Sequence, residues 1–246
     1  MRTLLACLLA CCTTAAAAAE VKVAVAANFA AAMARLGEAF TAATGHAVTL
    51  SSGATGKFYA QVLHGAPFDV LLAADDETPR RLVAEGHAVA GSTFTYATGR
   101  LVLWSAQPGL VDAQGAVLAS NRIRHLAIAN AKVAPYGAAA QEVLQRRGLA
   151  EAYAGRIVTG ESVAQAYQFV ATGNAEAGFV ALSQVAAPGR SAAGSYWLVP
   201  ADWHTPLRQD AVLLKAGAAN PAARALLDYL KTEPARQLIR AHGYEP

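Results

Sequence analysis

The sequence predicts an α/β protein with largely parallel sheets, its chain shared between two lobes. Three observations lead there. Short apolar runs alternate along the chain with stretches of helical periodicity, the pattern of strands and helices taken in turn. A small or turn-forming residue separates most runs from the helix that follows. Two long extended segments, Phe94 to Ala106 with Gly99 inside it and Pro206 to Leu214, interrupt this rhythm. Two crossings between lobes would read this way, and so would edge strands.

The strand-like runs are Val21 to Ala26, Ala47 to Leu50, Asp69 to Ala73, Leu101 to Trp104, His125 to Ala129, Arg156 to Val158, Ala177 to Val180, Tyr196 to Val199 and Ala211 to Leu214. Between them the first helix is the clearest, because Phe29, Met33, Leu36 and Phe40 fall on one face and Gly45 supplies a stop. Other helices are expected to open near Thr55, Asp76, Tyr136, Ser162 and Ser183, and Pro221 opens a terminal pair. If the extended segments are crossings, one lobe comprises residues 20–98 with 205–246 and the other 99–204.

Residues 1–19 have the form of a secretory signal: Arg2, an apolar stretch from Leu4 to about Cys12, and alanines ending at Ala19. Cleavage before Glu20 is expected, which implies an extracytoplasmic protein. A lipoprotein signal cut before Cys11 is the alternative, with Leu9 bulky for it. Cys7, Cys11 and Cys12 are the three cysteines and all lie in this segment, so thiol catalysis and cysteine metal sites are excluded from the rest. No later stretch approaches the roughly 20 apolar residues of a spanning helix. A formal net charge of +3, thinly spread, points to neither nucleic acid nor a membrane surface.

Several turns carry candidate chemistry. Ser52-Gly53-Ala54-Thr55-Gly56-Lys57 resembles a phosphate loop, but only two residues separate Gly53 from Gly56-Lys57, and Phe58 stands where Ser or Thr belongs. Nucleotide hydrolysis is therefore disfavoured. A small-residue turn entering a helix still exposes backbone N–H groups at the positive end of the helix dipole, which suits an anion. Similar openings recur at Ala26-Ala27-Asn28, Ala134-Pro135-Tyr136-Gly137 and Gly160-Glu161-Ser162-Val163. In open α/β folds such turns gather beyond the carboxyl ends of the strands. Each also has a plain structural explanation: Asn28, Thr55 and Ser162 as helix caps, Tyr136 as a half-buried aromatic.

A hydrolase using Ser162 or Thr55 is the alternative from another class. Gly160-Glu161-Ser162-Val163-Ala164 lacks the last glycine of a nucleophile elbow, and no triad partner can be assigned. Asp75-Asp76-Glu77 reads first as the acidic opening of a helix and only second as a metal cluster. The six histidines are scattered without metal-ligand spacing.

Taken together, Val25-Ala26-Ala27-Asn28-Phe29, Ser51 through Lys57, Gly65-Ala66-Pro67-Phe68-Asp69-Val70, Ala73-Ala74-Asp75, Pro135-Tyr136-Gly137, Gly178-Phe179-Val180 and Asp228-Tyr229-Leu230-Lys231 resemble the periplasmic molybdate-binding proteins of ABC importers. The likeness spans essentially everything after residue 19. It implies a two-lobed periplasmic-binding-protein fold, each lobe a mainly parallel sheet flanked by helices, joined by two crossover strands. It implies a periplasmic monomer that is not an enzyme, needs no cofactor, and delivers molybdate or tungstate to the permease subunits of its transporter. It further implies that Asn28 and Thr55 supply side-chain and backbone donors from one lobe, with the Tyr136 hydroxyl and the Val163 N–H from the other. Many members carry serine where Asn28 and Thr55 stand, and one branch takes its tyrosine from the strand position of Ala181. This chain matches the branch with tyrosine directly after the proline. Lys57 either faces the site or lies on the helix surface. On donor chemistry alone, sulfate or another anion is an open alternative.

Overall fold

The computed structural model describes residues 18–186 and 193–245. The expected signal segment falls outside them but for its last two residues, as does Cys11. The strands are β1 (Glu20–Ala26), β2 (Ala47–Gly53), β3 (Val70–Leu72), β4 (Phe94–Gly99), β5 (Leu101–Ser105), β6 (Leu126–Ala129), β7 (Ile157–Gly160), β8 (Ala177–Ala181), β9 (Ser195–Leu198) and β10 (Leu207–Leu213). The helices are α1 (Ala30–Thr44), α2 (Thr55–Leu63), α3 (Glu77–Ala84), α4 (Pro135–Arg146), α5 (Ala150–Tyr153), α6 (Val163–Ala171), α7 (Leu182–Val185), α8 (Pro221–Leu230) and α9 (Glu233–Ala241). None is long and apolar enough to cross a membrane.

The strands form two five-stranded sheets, ordered β2-β1-β3-β10-β4 and β7-β6-β8-β5-β9. The long extended segment read from the sequence is two strands of different sheets, β4 and β5, with only Arg100 between them. The return passage leads from β9 to β10. In each sheet the first three strands are parallel, and one strand, β10 or β5, pairs antiparallel with both its neighbours. Those two are the strands by which the chain enters each lobe after a crossing, so the sheets are mixed where the lobes are joined.

Strand alternation decides which side chains meet which helices. Val21, Val23 and Val25 point to one face of the first sheet, where Phe29, Met33, Leu36 and Phe40 of the α1 region pack together with Leu226 and Ile239 of α8 and α9. Ala24, Leu71 and Val212 point to the other face, against Phe58 and Val62 of α2 and Leu82 of α3. Helix α1 ends at Gly45, whose left-handed backbone (φ 76°) lets its N–H reach the Thr41 carbonyl. The second lobe has its own core around Leu101, Leu103, Ile128 and Phe179. Ala26, Ala54 and Ala74 of the first lobe pack into that same cluster, so the lobes touch through apolar contacts at the strand ends.

Tyr136 owes its position to the residue after it. A Cβ on Gly137 would lie 2.2 Å from the Ala129 carbonyl oxygen at the end of β6, which permits only glycine at this approach of helix to strand. Gly137→Ala is expected to destabilise the fold by about 1–3 kcal/mol, the usual cost of overpacking. Urea unfolding checks this, and a midpoint equal to that of the parent chain would contradict it.

Candidate functional site

The turns that leave β1, β2, β6 and β7 meet at one place between the lobes. Ala26–Asn28, Gly53–Thr55, Ala74, Ala134–Tyr136, Ser162 and Val163 line a cavity of about 210 Å³. That volume is counted out to the open cleft mouth, and the enclosed part is small, with no room for a drug-sized ligand. All four residues singled out in the sequence, Asn28, Thr55, Tyr136 and Val163, lie on its wall. No charged side chain and no histidine lies among the lining residues.

The wall is rich in donors. The backbone N–H groups of Asn28, Thr55 and Val163 take no acceptor among the described residues. Thr55 and Val163 are the first residues of α2 and α6, where a helix leaves its N–H groups unpaired. Thr55 Oγ1 accepts a hydrogen bond from the Ala74 N–H at 2.9 Å, which leaves the hydroxyl proton to donate. Tyr136 is 2% exposed, so it is buried rather than half-buried. Its hydroxyl accepts from Gln209 Nε2 at 3.3 Å.

The capping explanation fits only one of its three residues. Ser162 caps α6, its hydroxyl accepting from the Gln165 N–H. Phe29 and Ala54 hold the capping positions of α1 and α2, so Asn28 and Thr55 are turned to other partners. Both protons of Asn28 Nδ2 are taken within the protein, by Gln209 Oε1 at 2.9 Å and the Tyr244 hydroxyl at 3.0 Å. Asn28 therefore offers the cavity its backbone N–H.

A buried polar layer lies behind the cavity, and it was not legible in the sequence. Gln209 Oε1 also meets the Tyr96 hydroxyl at 3.0 Å, and that hydroxyl lies 2.9 Å from the Ala73 carbonyl. The Tyr244 hydroxyl is 2.7 Å from the Asn28 carbonyl oxygen and 2.9 Å from Ser183 Oγ, which itself lies 3.0 Å from the same carbonyl. Tyr244 reaches this place because Thr98 and Glu245 form a bridge on the edge of β4. A Cβ on Gly99 would fall 2.1 Å from the Tyr136 hydroxyl and 2.5 Å from Gln209 Nε2, so glycine at the crossing makes room for both.

Two contacts close the lobes over the cavity from outside. The Gly56 N–H donates to the Val133 carbonyl at 2.9 Å, with no room for a side chain at Gly56. Lys57 Nζ lies 2.5 Å from Glu161 Oε2, both largely exposed. Lys57 thus sits on the rim as an interlobe ion pair. Asp75 accepts from the Thr78 N–H and hydroxyl at the start of α3, and burial pushes its carboxyl above the usual range. Asp76 pairs with Arg80. Among the described residues no group of three or more His, Cys, Asp or Glu is placed to hold a metal ion.

Residues 21–245 match a model of the family "Bacterial extracellular solute-binding protein". The molybdate-binding protein ModA of Azotobacter vinelandii is 60% identical over 237 residues, covering 96% of this chain and 93% of that protein. ModA of Rhodobacter capsulatus is 55% identical over 229 residues, covering 93% and 89%. The solved structure of the Azotobacter vinelandii periplasmic molybdate-binding protein superposes with a TM-score of 0.89 at 44% identity, covering 92% of this chain and 99% of that one.

The buried tyrosines give the site a pH signature. Burial raises the hydroxyls of Tyr96 and Tyr136 well above the ordinary value of 10.0, and it raises Tyr244 as well. The folded chain then holds these protons more tightly than the unfolded one. Their contribution to stability is complete below about pH 10 and is lost as pH rises from there through the folded values. Thermal melting between pH 8 and 11 is expected to show a fall above about pH 10, shallower in Tyr96→Phe. Equal slopes in the two proteins would contradict it.

Proposed function

The chain belongs to the bacterial extracellular solute-binding proteins, and from that premise we propose that it captures molybdate or tungstate between its lobes. Outside the cytoplasm, it hands the ion to the membrane subunits of an ABC transporter. The observation that carries this reading is the convergence of four turns, two from each lobe, on one small uncharged cavity walled by hydrogen-bond donors. The relatives named as molybdate-binding proteins support the same ligand.

Neutral donors suffice for a dianion. Hydrogen bonds to a charged partner contribute roughly 1.5–3 kcal/mol each. Three backbone N–H groups and the hydroxyls of Thr55 and Tyr136 would together contribute about 7–15 kcal/mol before desolvation and lost ligand freedom are subtracted. What is left is compatible with micromolar or tighter capture. A resident cofactor has no part in this scheme, and neither does turnover: the ligand is cargo. A fully deprotonated oxyanion accepts from every direction, whereas a protonated one brings an O–H that meets no acceptor. Sulfate, equal in charge, has to be refused by size, its hydrogen bonds left long in a cage set for a larger ion.

Donors from both lobes reach the ligand together only when the lobes are closed, so binding favours closure. Thermal melting against molybdate, tungstate, sulfate and phosphate tests the reading, because a ligand of the folded state raises the midpoint in proportion to its affinity. Molybdate and tungstate are expected to give the largest rise; a larger rise with sulfate would overturn the assignment. Tyr136→Phe is expected to weaken molybdate binding about 10- to 100-fold by calorimetry, the value of one hydrogen bond to a charged ligand. Lys57→Ala removes only an exposed ion pair and should cost less than about fivefold. A reversal of that order would place the ligand at the rim rather than in the cavity.

A further inference from the structure

A hydroxyl can point either its proton or a lone pair into a cavity, and a cage for a fully deprotonated oxyanion works only with the proton inward. We propose that Gln209 makes this choice at Tyr136, as a positioning residue: its amide N–H occupies the phenolic oxygen from behind, turns the phenolic proton into the cavity, and so sets the preference for unprotonated oxyanions. This rests on the reading that the cavity holds an oxyanion.

The Asn28 carbonyl can only accept, and the Tyr244 hydroxyl oxygen stands 2.7 Å from it. Two oxygens that close need a proton between them, and only Tyr244 can supply it. The Tyr244 oxygen is then free to accept, so the Asn28 side-chain atom 3.0 Å away must be the amide nitrogen. That nitrogen also faces Gln209 at 2.9 Å, where it requires an acceptor, so the Gln209 oxygen points toward Asn28. The Gln209 nitrogen is left to face Tyr136, at 3.3 Å. An amide nitrogen can only donate, so the Tyr136 oxygen accepts and its proton must leave in another direction. Among the described residues no protein acceptor takes it, and the ring lies on the cavity wall.

Three features hold Gln209 to this task. It is 0% exposed, so water cannot substitute for its partners. It sits at the irregularity in the β10–β4 pairing, between Gln209 and Asp210, where a bulge re-aims a side chain. The missing side chain at Gly99 leaves the space in which its amide and the Tyr136 hydroxyl meet.

Gln209→Glu keeps the shape and makes both terminal atoms acceptors, so the Tyr136 proton is drawn back to residue 209 and a lone pair faces the ligand. Molybdate affinity, measured by calorimetry on the full chain, is expected to fall at least about 100-fold. Tyr136→Phe, worth about 10- to 100-fold alone, should then add less than about threefold in the Gln209→Glu background, because its hydroxyl no longer donates. The affinity ratio of molybdate to hydrogen phosphate should fall at least about tenfold in Gln209→Glu, since the cage has gained an acceptor. Gln209→Met, close in volume but without the donor, should lower that ratio in the same direction if Gln209→Glu does not fold. Additive losses with an unchanged ratio, in whichever variant folds, overturn the role of Gln209 and leave molybdate capture standing. A parent chain that binds no oxyanion in the same titration overturns both.

Discussion

A helix cannot satisfy its own first N–H groups, and this unavoidable deficit is what the rest of the molecule is arranged around. Thr55 and Val163 each bring one such group to a common centre, and Asn28, in the turn before α1, adds a third unpaired N–H. Elsewhere a buried N–H without an acceptor is a defect that costs stability. Here the defects are collected, so that a single small anion can relieve several at once. Because backbone supplies much of the wall, few side-chain identities are needed at the cavity itself, and small residues such as Ala26, Ala54 and Ala134 suffice beside it.

The two lobes reach this centre by the same route. In each sheet a first strand is followed by a helix, a second strand pairs beside it, and a third pairs on its other side: β1, β2 and β3 in one lobe, β6, β7 and β8 in the other. Asn28 and Tyr136 follow β1 and β6; Thr55 and Val163 follow β2 and β7. The site is thus two equivalent pairs of turns placed face to face. Within that frame the chemistry differs, since one lobe offers backbone N–H groups and a threonine hydroxyl, and the other a tyrosine hydroxyl and an N–H.

Much of this could be read from the residues because its causes are local. Apolar periodicity at Phe29, Met33, Leu36 and Phe40 marked α1, and small residues before each helix marked the turns that form the cavity. The capping role given to Asn28 and Thr55 as a possibility failed for a local reason too: the helices begin one residue later or earlier than a cap at those positions requires. What stayed hidden is non-local. Gln209 lies 181 residues from Asn28 and Tyr244 lies 216 residues from it, and no spacing rule links them. The polar run Arg208-Gln209-Asp210 ahead of the apolar end of β10 is the trace they leave. The direction of β5 and β10 was likewise hidden, since it follows from which sheet a strand joins after a crossing. The duplicated topology left no repeat in the sequence because strand order constrains the pattern of apolar positions, not the residues that fill it.

Arg100 is the single residue separating β4 of one sheet from β5 of the other, and the Gln209–Tyr136 contact lies against its neighbour Gly99. Points near a pivot travel least when two bodies swing apart. A swing of the lobes about Arg100 would move this contact least and would part the rim contacts at Gly56 and Lys57. The proposed orientation of the phenolic proton would then outlast the opening, and an arriving ion would meet half the cage already polarised.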